Sequence, residues 1–241
     1  MPIVYGVNAV SEALTARRVS RLIHERGAGP RIDALVRRAH ELRIPIETLD
    51  HRALDTLTRG GVHQGVAAEV QATSAYTLEE LVGGASGPPL LVVLDGIEDP
   101  QNVGAILRSA DGAGADGVIR QARHAAPLDG ATAKASAGAV NYVRIATVVN
   151  IARTIEELKE MNVWTIGFTG EATETYDQVD YRLPTALVFG AEGGGLRRLV
   201  RERCDRLVRI PMAGAVSSLN VSVAAGVALF EAVRQRRTGA R

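Results

Sequence analysis

Apolar and polar residues follow two patterns along this chain. Some stretches repeat at helical spacing and others are short unbroken apolar runs. From Arg31 to Leu42 the residues Ile32, Leu35, Val36, Ala39 and Leu42 recur three or four positions apart, which predicts an amphipathic helix. Asn8 to Leu14 reads as a second helix, and Arg21–His24, Ile44–Leu49 and Val66–Val70 read as strands. Beyond residue 89 the alternation is more regular. Leu90–Leu94 is a continuous apolar run, the pattern of a strand covered on both faces. Helices are expected at about Val103–Gly112, Ala131–Ala139, Ile151–Met161 and Leu219–Arg237. Strands are expected at Gly117–Ile119, Tyr142–Ala146, Val163–Phe168, Ala186–Phe189 and Leu207–Ile210. Strands alternating with helices imply an α/β fold with a parallel sheet.

The pattern weakens between about Gln71 and Pro89, where Gly, Ser and Pro collect. We read an N-terminal unit at 1–72, a linker at 73–89 with a short amphipathic turn at Leu78–Val82, and a second unit at 90–241. The chain has 241 residues, 46% of them hydrophobic, so a sizeable core is expected and disorder is not. Net charge is only +1, which by itself predicts no polyanion partner. All basic residues other than Lys134 and Lys159 are arginine, the side chain that grips phosphate bidentately, although an arginine-rich codon bias explains most of this. Four of the five histidines fall in the N-terminal unit. The single cysteine, Cys204, permits neither an intrachain disulfide nor a cysteine-based zinc cluster, and we read it as an ordinary helix-end residue. No metal site is expected. Without a signal segment or an apolar run of about 18 residues, a soluble cytoplasmic protein is expected, with no membrane partner.

Three stretches carry the chemistry. Each begins on a strand, breaks at Gly, Pro or Ser, and runs into a helix, so each loop falls at the carboxyl end of a strand where α/β domains bind ligands. The first is Leu94-Asp95-Gly96-Ile97-Glu98-Asp99-Pro100-Gln101-Asn102, continuing to Arg108. Taken alone, Asn102 reads as a helix cap and Arg108 as a solvated or paired surface residue. The second is Phe189-Gly190-Ala191-Glu192-Gly193-Gly194-Gly195-Leu196. Its spacing matches neither a dinucleotide fingerprint nor a P-loop. It is either a flexible connection or a loop whose backbone approaches a ligand closely. The third runs from Ile210-Pro211-Met212 to Ser217-Ser218-Leu219-Asn220. Ser218 could cap the closing helix, and Asn220 could satisfy its first-turn amides. A serine nucleophile would need a histidine, and the second unit offers only His124 with no evident orienting acid, so a hydrolase is discounted.

In this order the three stretches resemble the signature motifs of the SpoU (TrmH) family of RNA ribose 2′-O-methyltransferases, within the SPOUT superfamily. The resemblance runs from about Tyr5 to Arg237, and Val62–Val66 and Thr169–Ala172 also match. It implies a C-terminal trefoil-knotted α/β domain with a parallel sheet, preceded by a small α/β RNA-binding domain resembling ribosomal proteins. It implies S-adenosylmethionine as methyl donor, held by Thr169, Gly170, Gly190, Ile210, Met212 and Leu219. It places Asn102, Arg108, Glu192, Ser218 and Asn220 at the reaction centre. It further implies a homodimer and an RNA partner. The stretch from Ile210 to Arg236 is most like the subgroup that methylates a guanosine ribose of 23S rRNA in the peptidyl-transferase region. Val103 in place of a common Leu, and Ala125-Ala126-Pro127 in place of a polar loop, leave the substrate open. The alternatives are a tRNA-directed or antibiotic-resistance rRNA methyltransferase of the same family, or a non-catalytic RNA-binding assembly factor.

Overall fold

The computed structural model describes residues 3–27, 29–70, 76–128 and 130–238. The chain forms two compact units. The first comprises 1–73 and 127–142, and the second comprises 74–126 and 143–241. In the first unit β1 (Ile3–Tyr5), α1 (Val7–Thr15), β2 (Val19–Glu25), α2 (Pro30–Glu41), β3 (Ile46–Leu49), α3 (His51–Leu57) and β4 (Val66–Val70) follow one another. The chain then enters the second unit with α4 (Leu78–Gly83), β5 (Leu90–Asp95), α5 (Pro100–Ala113) and β6 (Gly117–Gln121). It returns to the first for α6 (Gly130–Ala135) and a 3-10 turn at Ala139–Asn141. The second unit is completed by β7 (Ile145–Val148), α7 (Ile151–Glu160), β8 (Trp164–Phe168), β9 (Glu174–Thr175), β10 (Thr185–Gly190), α8 (Arg198–Arg203), β11 (Arg206–Arg209) and α9 (Val221–Thr238).

The first unit has a four-stranded sheet in the order β1-β4-β2-β3. The pair β2 and β3 is parallel, and β4 runs antiparallel to both β1 and β2. Val10, Ala13, Leu14, Leu22, Ile23 and Leu54 are fully or almost fully buried in its core. The segment 127–142 packs here rather than with the sheet whose sequence surrounds it. Gly130 lies so close to the Tyr5 ring that a Cβ would fall 2.0 Å from Cε1. The Tyr142 hydroxyl donates to Glu12 Oε2 at 2.7 Å, and Arg18 Nη1 donates to Asn141 Oδ1 at 2.7 Å.

The second unit has a seven-stranded sheet in the order β7-β6-β5-β10-β8-β11-β9, parallel throughout. Every residue of β5 and β10 is buried, as their unbroken apolar runs require. One face is covered by α4, α7 and α8 through Leu81, Ile151, Ile155, Leu158 and Val200. Full burial of a side chain of this size stabilises the fold by about 1.5–3 kcal/mol.

Several elements depart from the sequence pattern. Residues 76–89 are not a linker: α4 has a capping box formed by Thr77 and Glu80, and it buries Leu78 and Leu81 in the core. The start of the expected linker, at 73–75, lies outside the described residues. The helix expected over Ala131–Ala139 stops at Ala135, because Ala137 and Gly138 take φ of 50° and 88°. β7 consequently begins at Ile145 rather than Tyr142. The short elements β1, α3, β9 and α8 had no periodic signal. Cys204 is the C-cap of α8. Among the described residues no helix is long and apolar enough to cross a membrane.

Candidate active site

The loops that follow β5, β10 and β11 meet at the carboxyl edge of the larger sheet. Asp99 caps α5 by accepting the Gln101 amide at 2.9 Å, and Pro100 occupies the first turn, where its missing N–H costs nothing. Asn102 is therefore not the cap. It sits one turn in and is 6% exposed. Its Nδ2 donates to Asp99 Oδ2 at 2.9 Å and to Glu192 Oε1 at 2.6 Å. Asn220 Nδ2 donates to the same Glu192 oxygen at 2.9 Å and to Asn102 Oδ1 at 3.0 Å. Asn220 Oδ1 accepts the Ser222 amide at 2.9 Å and hydroxyl at 2.6 Å. Asn220 thus both caps α9, in place of Ser218, and joins the polar cluster. One carboxylate and two carboxamides tie all three loops together. Glu192 Oε2 has no donor among the described residues.

A cavity of about 500 Å³ opens beside this cluster. It is lined by Thr169, Gly170, Gly190, Ile210, Met212 and Leu219, and by Glu192, Ser218 and Asn220, all singled out from the sequence. Phe168 and Phe189 supply an apolar wall, their rings stacked with centroids 4.6 Å apart and planes 23° from parallel. Asn102 touches the cavity only through its partners. Arg108 does not line it. Six residues past Asn102, Arg108 is rotated about 240° around α5 and is exposed.

The glycine loop is held by its own chain. A Cβ on Gly190 would fall 2.1 Å from the carbonyl carbon of Gly195 and 2.3 Å from the Leu196 nitrogen. The sequence reading reserved this position for the approach of a ligand, whereas here the returning backbone occupies the space. Gly193 and Gly195 take φ of 73° and 61°, which favours glycine at both. The loop's far end is anchored by a group the sequence did not reveal. Asp95, completely buried at the end of β5, accepts the Arg197 backbone amide at 2.9 Å and its Nε at 2.7 Å, and is also ion-paired with Nη2. Arg197 Nη2 in addition donates to Gln121 Oε1 at 2.8 Å. Arg209, at the end of β11, lines the cavity and was also not singled out from the sequence. A spacing rule could have found neither, because each role depends on which strands are neighbours. His124 pairs with Glu98 at 3.3 Å, but both are exposed and neither lines the cavity that holds Ser217 and Ser218.

In the first unit His51, Asp55 and His63 bring potential metal ligands within 4.8 Å of one another. The hydrogen bonds oppose a metal there. The Gly65 amide donates to His63 Nδ1 at 3.0 Å, so the ring proton sits on Nε2, which donates to Asp55 Oδ1 at 3.2 Å. The nitrogen facing the cluster therefore has no free lone pair, and the buried His63 acts as a brace for the 63–65 turn.

Residues 89–230 match the model of the SpoU rRNA methylase family, and residues 3–75 match a model described as RNA 2′-O ribose methyltransferase substrate binding. The chain is 48% identical over 239 residues to a 23S rRNA (guanosine-2′-O-)-methyltransferase from Pseudomonas aeruginosa, covering 97% of this chain and 96% of the relative. It is 45% identical to the protein of that name from Haemophilus influenzae, covering 97% of each. The SpoU methyltransferase AviRb of Streptomyces viridochromogenes, solved with AdoMet, superposes with a TM-score of 0.83 at 29% identity, covering 98% of this chain and 91% of that one. A family model over residues 89–230, three loops meeting at one cavity, and relatives matched over almost their whole length lead to one assignment: the chain belongs to the SpoU family of RNA methyltransferases.

Proposed function

We propose that this protein transfers a methyl group from S-adenosylmethionine to the 2′-hydroxyl of a guanosine ribose in 23S rRNA, as a cytoplasmic homodimer. The observation that carries this reading is the Asn102–Glu192–Asn220 cluster on the wall of a cavity that suits the donor. At about 500 Å³ the cavity lies within the usual range for small-molecule sites. Its stacked phenylalanines suit an adenine, and its hydroxyls and Glu192 suit a ribose and a cationic sulfonium. Thr169, Gly170, Gly190, Ile210, Met212 and Leu219 would hold the donor, largely through main-chain groups. When bound, the donor supplies a methyl group already activated by its sulfonium.

The remaining work is positioning and proton handling by the chain. Asn102 and Asn220 fix Glu192 through one oxygen and so hold its carboxylate in place beside the incoming ribose. Ser218 orients the ribose. Arg108 is a guanidinium and cannot serve as a base at neutral pH. We assign it to the RNA side, gripping phosphate and stabilising the developing alkoxide, with water or a phosphate oxygen taking the proton. Its exposed position outside the cavity fits the phosphate contact. The homodimer is supported by α9, which leaves Val223 and Phe230 more than half exposed, seven residues apart and so on one face. The first unit is assigned to RNA binding, in keeping with the name of the family model it matches.

The test is mass spectrometry of 23S rRNA and tRNA from cells with and without the gene. Loss of one 2′-O-methylguanosine from 23S rRNA is expected. An unchanged 23S rRNA with a lost tRNA mark would overturn the substrate assignment. In purified protein, Arg108→Ala should cut methyl transfer about 10²–10³-fold while leaving donor affinity unchanged.

A further inference from the structure

The polar cluster has one possible arrangement of its hydrogens, and Asp99 stands at its outer end. Asn220 Oδ1 accepts the Ser222 backbone amide at 2.9 Å, and a backbone N–H cannot turn round. Asn220 Nδ2 therefore points to Asn102 Oδ1 and Glu192 Oε1. Asn102 Nδ2 in turn has two hydrogens to place. One goes to Glu192 Oε1 at 2.6 Å and the other to Asp99 Oδ2 at 2.9 Å. Asp99 has a second task on the same side chain, because its Oδ1 accepts the Gln101 amide at 2.9 Å and so caps α5. The position thus needs two acceptor oxygens on a short side chain, one for the helix and one for the cluster. Serine, threonine and asparagine each bring one acceptor oxygen, which the cap consumes.

We infer that Asp99 is a positioning residue for methyl transfer and acts through Asn102. The inference rests on the reaction assigned above. Asn102 is 6% exposed and does not itself line the cavity. It bears on the reaction by holding the Glu192 carboxylate. Asp99 draws one hydrogen of its carboxamide outward. That leaves the other hydrogen aimed at Glu192 and the oxygen aimed at Asn220. Without this acceptor the carboxamide is free to swing about its last single bond, and Glu192 loses one of the two donors that fix it. Asp99 is exposed, so the contact gives direction more than strength. A role confined to capping α5 makes a different claim, since any good cap would then serve.

The test measures single-turnover transfer of a labelled methyl group from S-adenosylmethionine to a 23S rRNA transcript by the full-length protein. Asp99→Ser keeps a good cap and removes the second oxygen, whereas Asp99→Ala removes both. Both variants should slow transfer about 10-fold, the lower end for a lost charged hydrogen bond. Both should leave S-adenosylhomocysteine affinity within about 2-fold, because Asp99 does not line the cavity. Only Asp99→Ala should lower the melting temperature, by about 2–4 °C. In an Asn102→Ala background, Asp99→Ser should slow transfer by less than about 2-fold, since its effect passes through Asn102. Normal transfer by Asp99→Ser beside slow transfer by Asp99→Ala would reduce Asp99 to a cap and overturn the inference. An equal loss with and without Asn102 would overturn it as well. A wild-type protein that transfers no methyl group to the transcript would instead overturn the reaction assignment itself.

Discussion

The anchor between Asp95 and Arg197 makes an asymmetric prediction. Both partners contribute to one ion pair, yet the structure leaves them in different surroundings. Asp95 is 0% exposed, whereas the Arg197 side chain is 50% exposed. Asp95→Ala removes the acceptor for a backbone amide and two guanidinium nitrogens, but the freed guanidinium can turn into water. The loss is then mainly hydrogen bonds, at about 1 kcal/mol each, so about 2–3 kcal/mol in all. Arg197→Ala leaves a carboxylate sealed at the end of β5 with only the residue 197 amide beside it. Stranding a buried charge costs about 3–5 kcal/mol. At about 2–4 °C per kcal/mol for a domain of this size, the melting temperature should fall by about 4–12 °C for Asp95→Ala and by about 6–20 °C for Arg197→Ala. Thermal unfolding followed by circular dichroism reads both. The double variant Asp95→Leu with Arg197→Leu should be more stable than Arg197→Ala, because no charge is left buried. Because the anchor holds the loop at one end of the donor cavity, both single variants should weaken donor affinity more than they slow transfer at saturating donor. A larger loss for Asp95→Ala than for Arg197→Ala, or losses under about 1 °C for both, would refute the reasoning.

Other expectations follow from local geometry. Gly190→Ala should fail to give stable protein, since its methyl group would sit 2.1 Å from the Gly195 backbone, and the soluble yield and helical signal of the purified variant test this. Glu192→Gln should slow transfer about 10²-fold or more while changing S-adenosylhomocysteine affinity only a few-fold, as kinetics and calorimetry on one preparation would establish. The His51 pKa is raised, first by its hydrogen bond to Glu25 and then by the charges of Glu25 and Asp55. Its small contribution to stability is therefore complete below the ordinary histidine value of about 6.5, and is lost as pH rises through the higher folded value. An NMR titration should place His51 above about 6.5 and Glu25→Gln should bring it back, so an unshifted His51 would contradict the contact.

Much of the larger sheet was legible because its strands are buried on both faces, which leaves unbroken runs such as Leu90–Leu94. Most helices were legible from period and length. The short elements were not. α3 is announced only by Asp50, whose carboxylate accepts the Ala53 amide, and α8 buries a single residue, Val200. α4 was legible only as a short amphipathic turn at Leu78–Val82 because its neighbours are Gly, Ser and Pro, although Thr77 and Glu80 also spell a capping box at its start. At the site, residues within each motif could be named from resemblance, and nine of those named line the cavity. The Asp95–Arg197 pair remained invisible because it depends on β10 lying beside β5.

The return of residues 127–142 to the first unit has a consequence for how the protein is made. The N-terminal unit cannot be finished when its own strands have left the ribosome. Tyr5, Glu12 and Arg18 must wait for Gly130, Tyr142 and Asn141, which are synthesised more than a hundred residues later. By then β5 and β6 are already present and competing for partners. Completion of the two units is therefore interleaved rather than sequential. Closing so long a loop slows folding through lost chain entropy. A protein cut after residue 73 would yield two fragments that are each incomplete: an N-terminal piece lacking α6, and a remainder carrying a segment whose packing partners are gone. Supplying the 1–73 fragment in trans should restore protection to 127–142 in hydrogen exchange, which makes this returning segment a handle for following the order in which the two units form.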